Sequence, residues 1–73
     1  MKVIIYGKLG CNDCQKAKLL CDMRSLDYQY LQLGGDYSLD ELPSNVKSMP
    51  LIYIKEHGDL RVIGGYEELR KLA

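Results

Sequence analysis

The chain has no tryptophan and no phenylalanine, so its six tyrosines must supply most of the aromatic packing. It has no net charge either, because ten Lys and Arg balance ten Asp and Glu. That balance argues against nucleic acid or an anionic membrane as the main partner. A long apolar run is also missing. After Met1-Lys2, the run from Val3 to Tyr6 is too short for the core of a signal peptide or for a membrane span. With three cysteines, the chain lacks the even, dense set of a small secreted disulfide scaffold. These absences point to a cytoplasmic, reducing compartment. There, a close cysteine pair is more often catalytic or metal-binding than structural.

What is present suits one domain over residues 1–73, with 47% apolar residues to build a core. A domain of this size buries only roughly 60% of its unfolded surface and is marginal. Val3 to Tyr6 is a β-branched run ended by Gly7, without polar alternation, and reads as a central strand covered on both faces. Asn12 to Leu26 contains neither Gly nor Pro and reads as helix. Steps of 100° group Cys14, Ala17, Leu20 and Cys21 on one face, with Leu19, Met23 and Leu26 in a second apolar stripe beside Lys16. Such a helix is expected to be covered on more than one side.

Tyr28 to Leu33 reads as a second strand, ended by Gly34-Gly35-Asp36. Ser38 and Glu41 have the spacing of a capping box, and Pro43 limits the helix that follows to little more than a turn or two. Leu51 to Ile54 is a third strand, Glu56 to Asp59 a turn, Leu60 to Ile63 a fourth strand, and Tyr66 to Leu72 a last helix after Gly64-Gly65. The order is β-α-β, a short or reduced middle helix, then β-β-α. A right-handed parallel crossover followed by an antiparallel edge gives an α/β fold with a four-stranded mixed sheet flanked by helices.

Cys11-Asn12-Asp13-Cys14 falls where the first strand hands over to the first helix. Positions three apart on a helix have Cα atoms roughly 5 Å apart, which a disulfide accepts. Cys14 and Cys21 stand about 10 Å apart along the axis, which is too far. At a helix N-terminus the unpaired N–H groups favour the Cys11 thiolate, Lys8 adds a positive charge and Asp13 opposes both. Cys14, one turn inside, is suited to act as a resolving thiol. Cys21 reads as a core residue and His57 as a solvated turn residue. A zinc half-site would have no second Cys-x-x-Cys and only His57 to complete it, so no metal is expected.

Lys8-Leu9-Gly10-Cys11-Asn12-Asp13-Cys14, with Ala17-Lys18 and Leu20, resembles the active-site segment of glutaredoxins. Ser48-Met49-Pro50 resembles their Thr-Val-Pro segment, whose proline is cis. Gly64-Gly65-Tyr66-Glu67-Glu68-Leu69 resembles their Gly-Gly-x-Asp-Asp-Leu stretch. The three motifs occur in the same order and span essentially the whole chain.

The resemblance implies a thioredoxin-like fold and a dithiol thiol–disulfide oxidoreductase with Cys11 as nucleophile and Cys14 as resolving cysteine. It implies glutathione as co-substrate and no tightly bound cofactor. The glutathione site would comprise Lys8, Met49, Pro50, Gly64, Gly65, Tyr66 and Glu67. The implied partners are glutathione and a disulfide-containing protein, ribonucleotide reductase being one the family offers, and the implied state is a monomer. Asn12-Asp13 replaces the usual Pro-Tyr between the cysteines, putting a carboxylate where the family has a ligand-contacting tyrosine. Two alternatives stay open. One is a redoxin reduced by thioredoxin reductase and serving ribonucleotide reductase. The other is a dimer holding a [2Fe–2S] cluster through the first cysteine and glutathione.

Overall fold

The computed structural model describes residues 1–42 and 49–72. Within them the chain forms β1 (Lys2–Gly7), α1 (Asn12–Met23), β2 (Tyr28–Gln32), a single 3₁₀ turn (Leu39–Glu41), β3 (Leu51–Glu56), β4 (Asp59–Gly64) and α2 (Tyr66–Leu72). The strands lie in the order β2-β1-β3-β4. β1 and β2 run parallel, with Ile5 opposite Tyr30, so α1 is the crossover of a β-α-β unit. β3 is antiparallel to β1, with Ile5 opposite Ile52, and β4 is antiparallel to β3. This is the four-stranded mixed sheet that the order of elements implied.

Alternation along the strands divides the sheet into two different faces. Val3 and Ile5 of β1 and Ile52 and Ile54 of β3 are buried, and they pack with Ala17, Leu20 and Cys21 of α1 and Leu69 of α2. Both helices therefore share one face. The other face carries Ile4, Tyr6, Leu51 and Tyr53, which are only half-buried. There the rings of Tyr6 and Tyr53 meet edge-on at 5.6 Å, and Tyr37 packs edge-on against Tyr6 at 5.0 Å. The even covering expected of the β1 run is thus uneven: helices seal one side and tyrosines shield the other.

Several boundaries differ from the sequence reading by a residue or more, and three places show the local reason. α1 stops at Met23 rather than Leu26, because Ser25 takes a left-handed conformation with φ +55. The N–H groups of Leu26 and Ser25 then donate to the carbonyls of Cys21 and Asp22, the closing pattern of a Schellman motif. The stop does not need glycine, which is why the sequence concealed it. Secondly, β2 ends at Gln32, one residue short of Leu33, which keeps only an isolated bridge to Tyr37. Thirdly, β3 and β4 run on to pair Glu56 with Asp59, so the turn has just two residues. His57 and Gly58 both have positive φ, +53 and +84, as a tight hairpin turn with the strands' own twist requires.

Of the second apolar stripe, Leu26 packs against the core but Leu19 and Met23 are not covered. Leu19 and Met23 are 58% and 71% exposed, while the Cys14, Ala17, Leu20 and Cys21 face is buried. The capping box at Ser38 forms by half: its N–H donates to the Glu41 carboxylate at 2.8 Å, and its hydroxyl turns to the Asp40 and Glu41 carboxylates. The helix limit assigned to Pro43 lies outside the described residues. No helix among the described residues is long and apolar enough to cross a membrane.

Ile5 has no exposed surface and faces both β2 and β3. Ile5→Ala is expected to lower unfolding free energy by about 3 kcal/mol, measured by urea titration. A loss below about 1 kcal/mol would contradict its place at the centre of the packing.

Candidate active site

Between β1 and α1 the chain passes through Lys8-Leu9-Gly10-Cys11. Gly10, at φ +73, makes the turn that a side chain would strain. Cys11 is the N-cap of α1, with extended backbone (φ −99, ψ 111). In place of the usual oxygen, its Sγ accepts the Cys14 N–H at 3.2 Å. The two cysteines have Cα atoms 5.3 Å apart and are joined as a disulfide. Cys11 is half-exposed and Cys14 fully buried, so a disulfide partner arriving from solvent meets Cys11 first. Cys21 is buried in the core, where burial, followed by the nearby Asp22 charge, raises the pKa of its thiol.

A second segment meets this loop, and a third lies against that one. The Met49–Pro50 peptide bond is cis, and the Met49 carbonyl lies 3.7 Å from Cys11 Sγ. Gly64 pairs with Ile52, just beyond Pro50. A Cβ on Gly65 would lie 3.4 Å from the Pro50 carbonyl, in ordinary contact, so the two backbones are neighbours. Met49, Pro50, Gly64 and Gly65 are thus adjacent, and Met49 reaches Cys11. Ser48, part of the Ser-Met-Pro motif, lies outside the described residues.

The charged members of the expected glutathione site are arranged differently. Lys8 stands exposed on the loop. Glu67 pairs with Arg70 at 2.7 Å, and the guanidinium holds its carboxyl below the usual range. Glu68, rather than Glu67, covers the glycines: Gly65 N–H donates to its Oε1 at 2.7 Å. Tyr66 is half-buried, with Lys16 Nζ 5.9 Å from its ring centre. The same Nζ is 3.8 Å from Asp13 Oδ1, so a cation faces the carboxylate between the two cysteines. Among the described residues no group of three or more His, Cys, Asp or Glu is placed to hold a metal ion.

One contributor was not legible in the sequence. The buried Tyr37 donates its hydroxyl to the Gly7 carbonyl at 2.9 Å and places it 3.7 Å from Met49 Sδ. Its only sequence signal is an aromatic residue directly after the polar turn Gly34-Gly35-Asp36.

No protein-family profile and no curated protein sequence matches the chain. Solved structures do. The structure of reduced glutaredoxin from Escherichia coli is 26% identical, with a TM-score of 0.75 over 99% of this chain and 92% of that one. Glutaredoxin 1 from Francisella tularensis, crystallised with cacodylate, is 24% identical, with a TM-score of 0.63 over 96% of this chain and 88% of that one. The chain is similar to glutaredoxins in fold over nearly its whole length. That fold, with a Cys-x-x-Cys pair at the start of its first helix, suggests thiol–disulfide exchange.

Asp13 follows Cys11 by two residues, and its pair with Lys16 is a weak one, since both side chains are more than half exposed. In reduced protein, Asp13→Asn is expected to speed alkylation of Cys11 at neutral pH by about twofold. An unchanged rate would mean that the Asp13 charge does not reach the sulfur.

Proposed function

We propose that the protein is a dithiol oxidoreductase that reduces protein disulfides or glutathione mixed disulfides. The observation that carries this reading is the asymmetry of the pair. The Cys11 sulfur is reachable and accepts a helix N–H, while Cys14 is buried at bonding distance behind it. An N–H that donates to sulfur stabilises thiolate over thiol, which makes Cys11 the better nucleophile near neutral pH. The Cys11 thiolate attacks one sulfur of the substrate disulfide, forms a mixed disulfide and expels the other sulfur as a thiolate that takes a proton from water. Cys14, giving up its proton, then attacks Cys11 Sγ. This closes the Cys11–Cys14 disulfide and releases the second substrate thiol. Where the substrate is glutathionylated, a second glutathione can perform that release instead.

Glutathione is the proposed reductant: two molecules return the pair to dithiol and leave as glutathione disulfide. Backbone supports this choice. The cis Met49–Pro50 segment presents polar main-chain groups beside Cys11, and the backbone of Gly65 lies against the Pro50 carbonyl. A second reading, reduction by thioredoxin reductase, is favoured by two carboxylates. Asp13 stands in the cysteine loop, and Glu68 already occupies the Gly65 N–H that an anionic tripeptide would seek.

Cys11→Ser is expected to abolish reduction of a glutathionylated peptide, whereas Cys14→Ser should retain it and lose reduction of protein disulfides. Equal loss in both variants would refute the division of roles. Paired coupled assays decide the reductant, one with glutathione and glutathione reductase, the other with thioredoxin reductase. Turnover is expected in the first, and turnover only in the second would replace glutathione by thioredoxin reductase.

A further inference from the structure

The Tyr37 hydroxyl touches both segments that frame the Cys11 sulfur. A tight turn after β2 places the residue. Gly35 and Asp36 N–H donate to the Gln32 carbonyl at 3.1 and 2.8 Å, and Gly34 N–H donates to the Tyr37 carbonyl at 2.9 Å. The Asp36 carboxylate closes the turn by accepting the Gln32 N–H at 2.8 Å. The tyrosine ring is held edge-on to Tyr6, at 87°. Its hydroxyl donates to the carbonyl of Gly7, the last residue before the cysteine loop, and contacts the sulfur of Met49, whose carbonyl faces Cys11 Sγ.

We propose that Tyr37 is a positioning residue whose hydroxyl ties Met49 to the end of β1 and so fixes how closely the Met49 carbonyl approaches the nucleophilic sulfur. The proposal rests on the assignment of Cys11 as nucleophile. A carbonyl oxygen accepts from a thiol and repels a thiolate, so its approach holds the proton on sulfur, while the Cys14 N–H acts in the opposite sense. Tyr37 therefore acts on Cys11 only through Met49. Burial, with Tyr30 and Tyr6 nearby, keeps the Tyr37 phenol protonated, so it remains a donor. Lys8, Asp13 and Lys16, the charged groups of the loop and of α1 near Cys11, are the same whether or not that hydroxyl is present.

Tyr37→Phe separates this role from packing. The ring stays, and the Gly7 carbonyl keeps its bond from the Leu33 N–H at 2.9 Å, so no buried acceptor is left empty. The reduced full-length chain carrying Cys14→Ser is treated with iodoacetamide across a pH series, and modification of Cys11 is read by mass spectrometry. With Tyr37→Phe added, the midpoint of the reactivity curve is expected to fall by about half a pH unit, because the carbonyl is released. A midpoint that stays put or rises overturns the proposal and leaves Tyr37 a packing residue. Should circular dichroism show Tyr37→Phe unfolded, Met49→Leu decides in its place. It removes the sulfur contact and keeps the backbone, so the same fall supports the proposal and no fall overturns it. Alkylation needs no turnover, so failure of the oxidoreductase reading in the coupled assays leaves this measurement interpretable.

Discussion

An α-helix begins with backbone N–H groups that have no carbonyl partner, and in α1 one of these is satisfied by a cysteine sulfur. That contact lets a single residue serve two purposes. Cys11 caps the helix as serine or aspartate would, and the same hydrogen bond with the N-terminal dipole stabilises negative charge on the sulfur. The contact also fixes the partner, because the residue donating the N–H is Cys14 itself. Helix geometry then brings the two Cα atoms to 5.3 Å. Capping, activation and disulfide formation follow from one backbone arrangement.

Such a cap works only if the strand before it and the helix after it are rigid. β1 is hydrogen-bonded on both sides, to β2 and β3, and its inward residues Val3 and Ile5 have no exposed surface. α1 is held against it by Ala17, Leu20 and Cys21, the last a buried thiol that acts here as a small apolar residue. On the opposite face the chain has neither phenylalanine nor tryptophan and uses tyrosine instead. A buried phenol needs a hydrogen-bond acceptor. Tyr37 finds its acceptor at the Gly7 carbonyl, where the strand gives way to the cysteine loop. A compositional restriction thus becomes a polar contact at the entrance to the cysteine loop.

The charges around the site are arranged more locally than their types suggest. Lys16 faces both Asp13 and the Tyr66 ring, linking the first turn of α1 to the start of α2. Glu67 is occupied by Arg70 one turn on, and Glu68 folds back over Gly64 and Gly65. Two adjacent glutamates therefore have different tasks: one forms a surface pair of small energetic weight, and the other caps backbone beside the cis-proline loop. A ligand carboxylate arriving at Gly65 must displace Glu68 or bind elsewhere.

The sequence by itself determined the order of the elements, the strand-to-helix location of Cys11 and Cys14, and the pairing of those two cysteines rather than Cys14 with Cys21. These are properties of short-range spacing, of the 3.6-residue turn and of runs of β-branched residues, which act before the chain folds upon itself. Helix ends were less legible. Ser25 takes a conformation usually given to glycine, and the backbone bonds that reward it appear only once α1 has formed. Tertiary structure alone decided that both helices share one face, that the Leu19–Met23 stripe stays in water, and that Glu68 instead of Glu67 meets the glycines. It alone decided, too, that Tyr37 stands between Gly7 and Met49, residues 30 positions before it and 12 after it in the chain. Contacts across such separations depend on how strands are ordered and how a connection crosses the sheet, and no local pattern of residue types encodes that order.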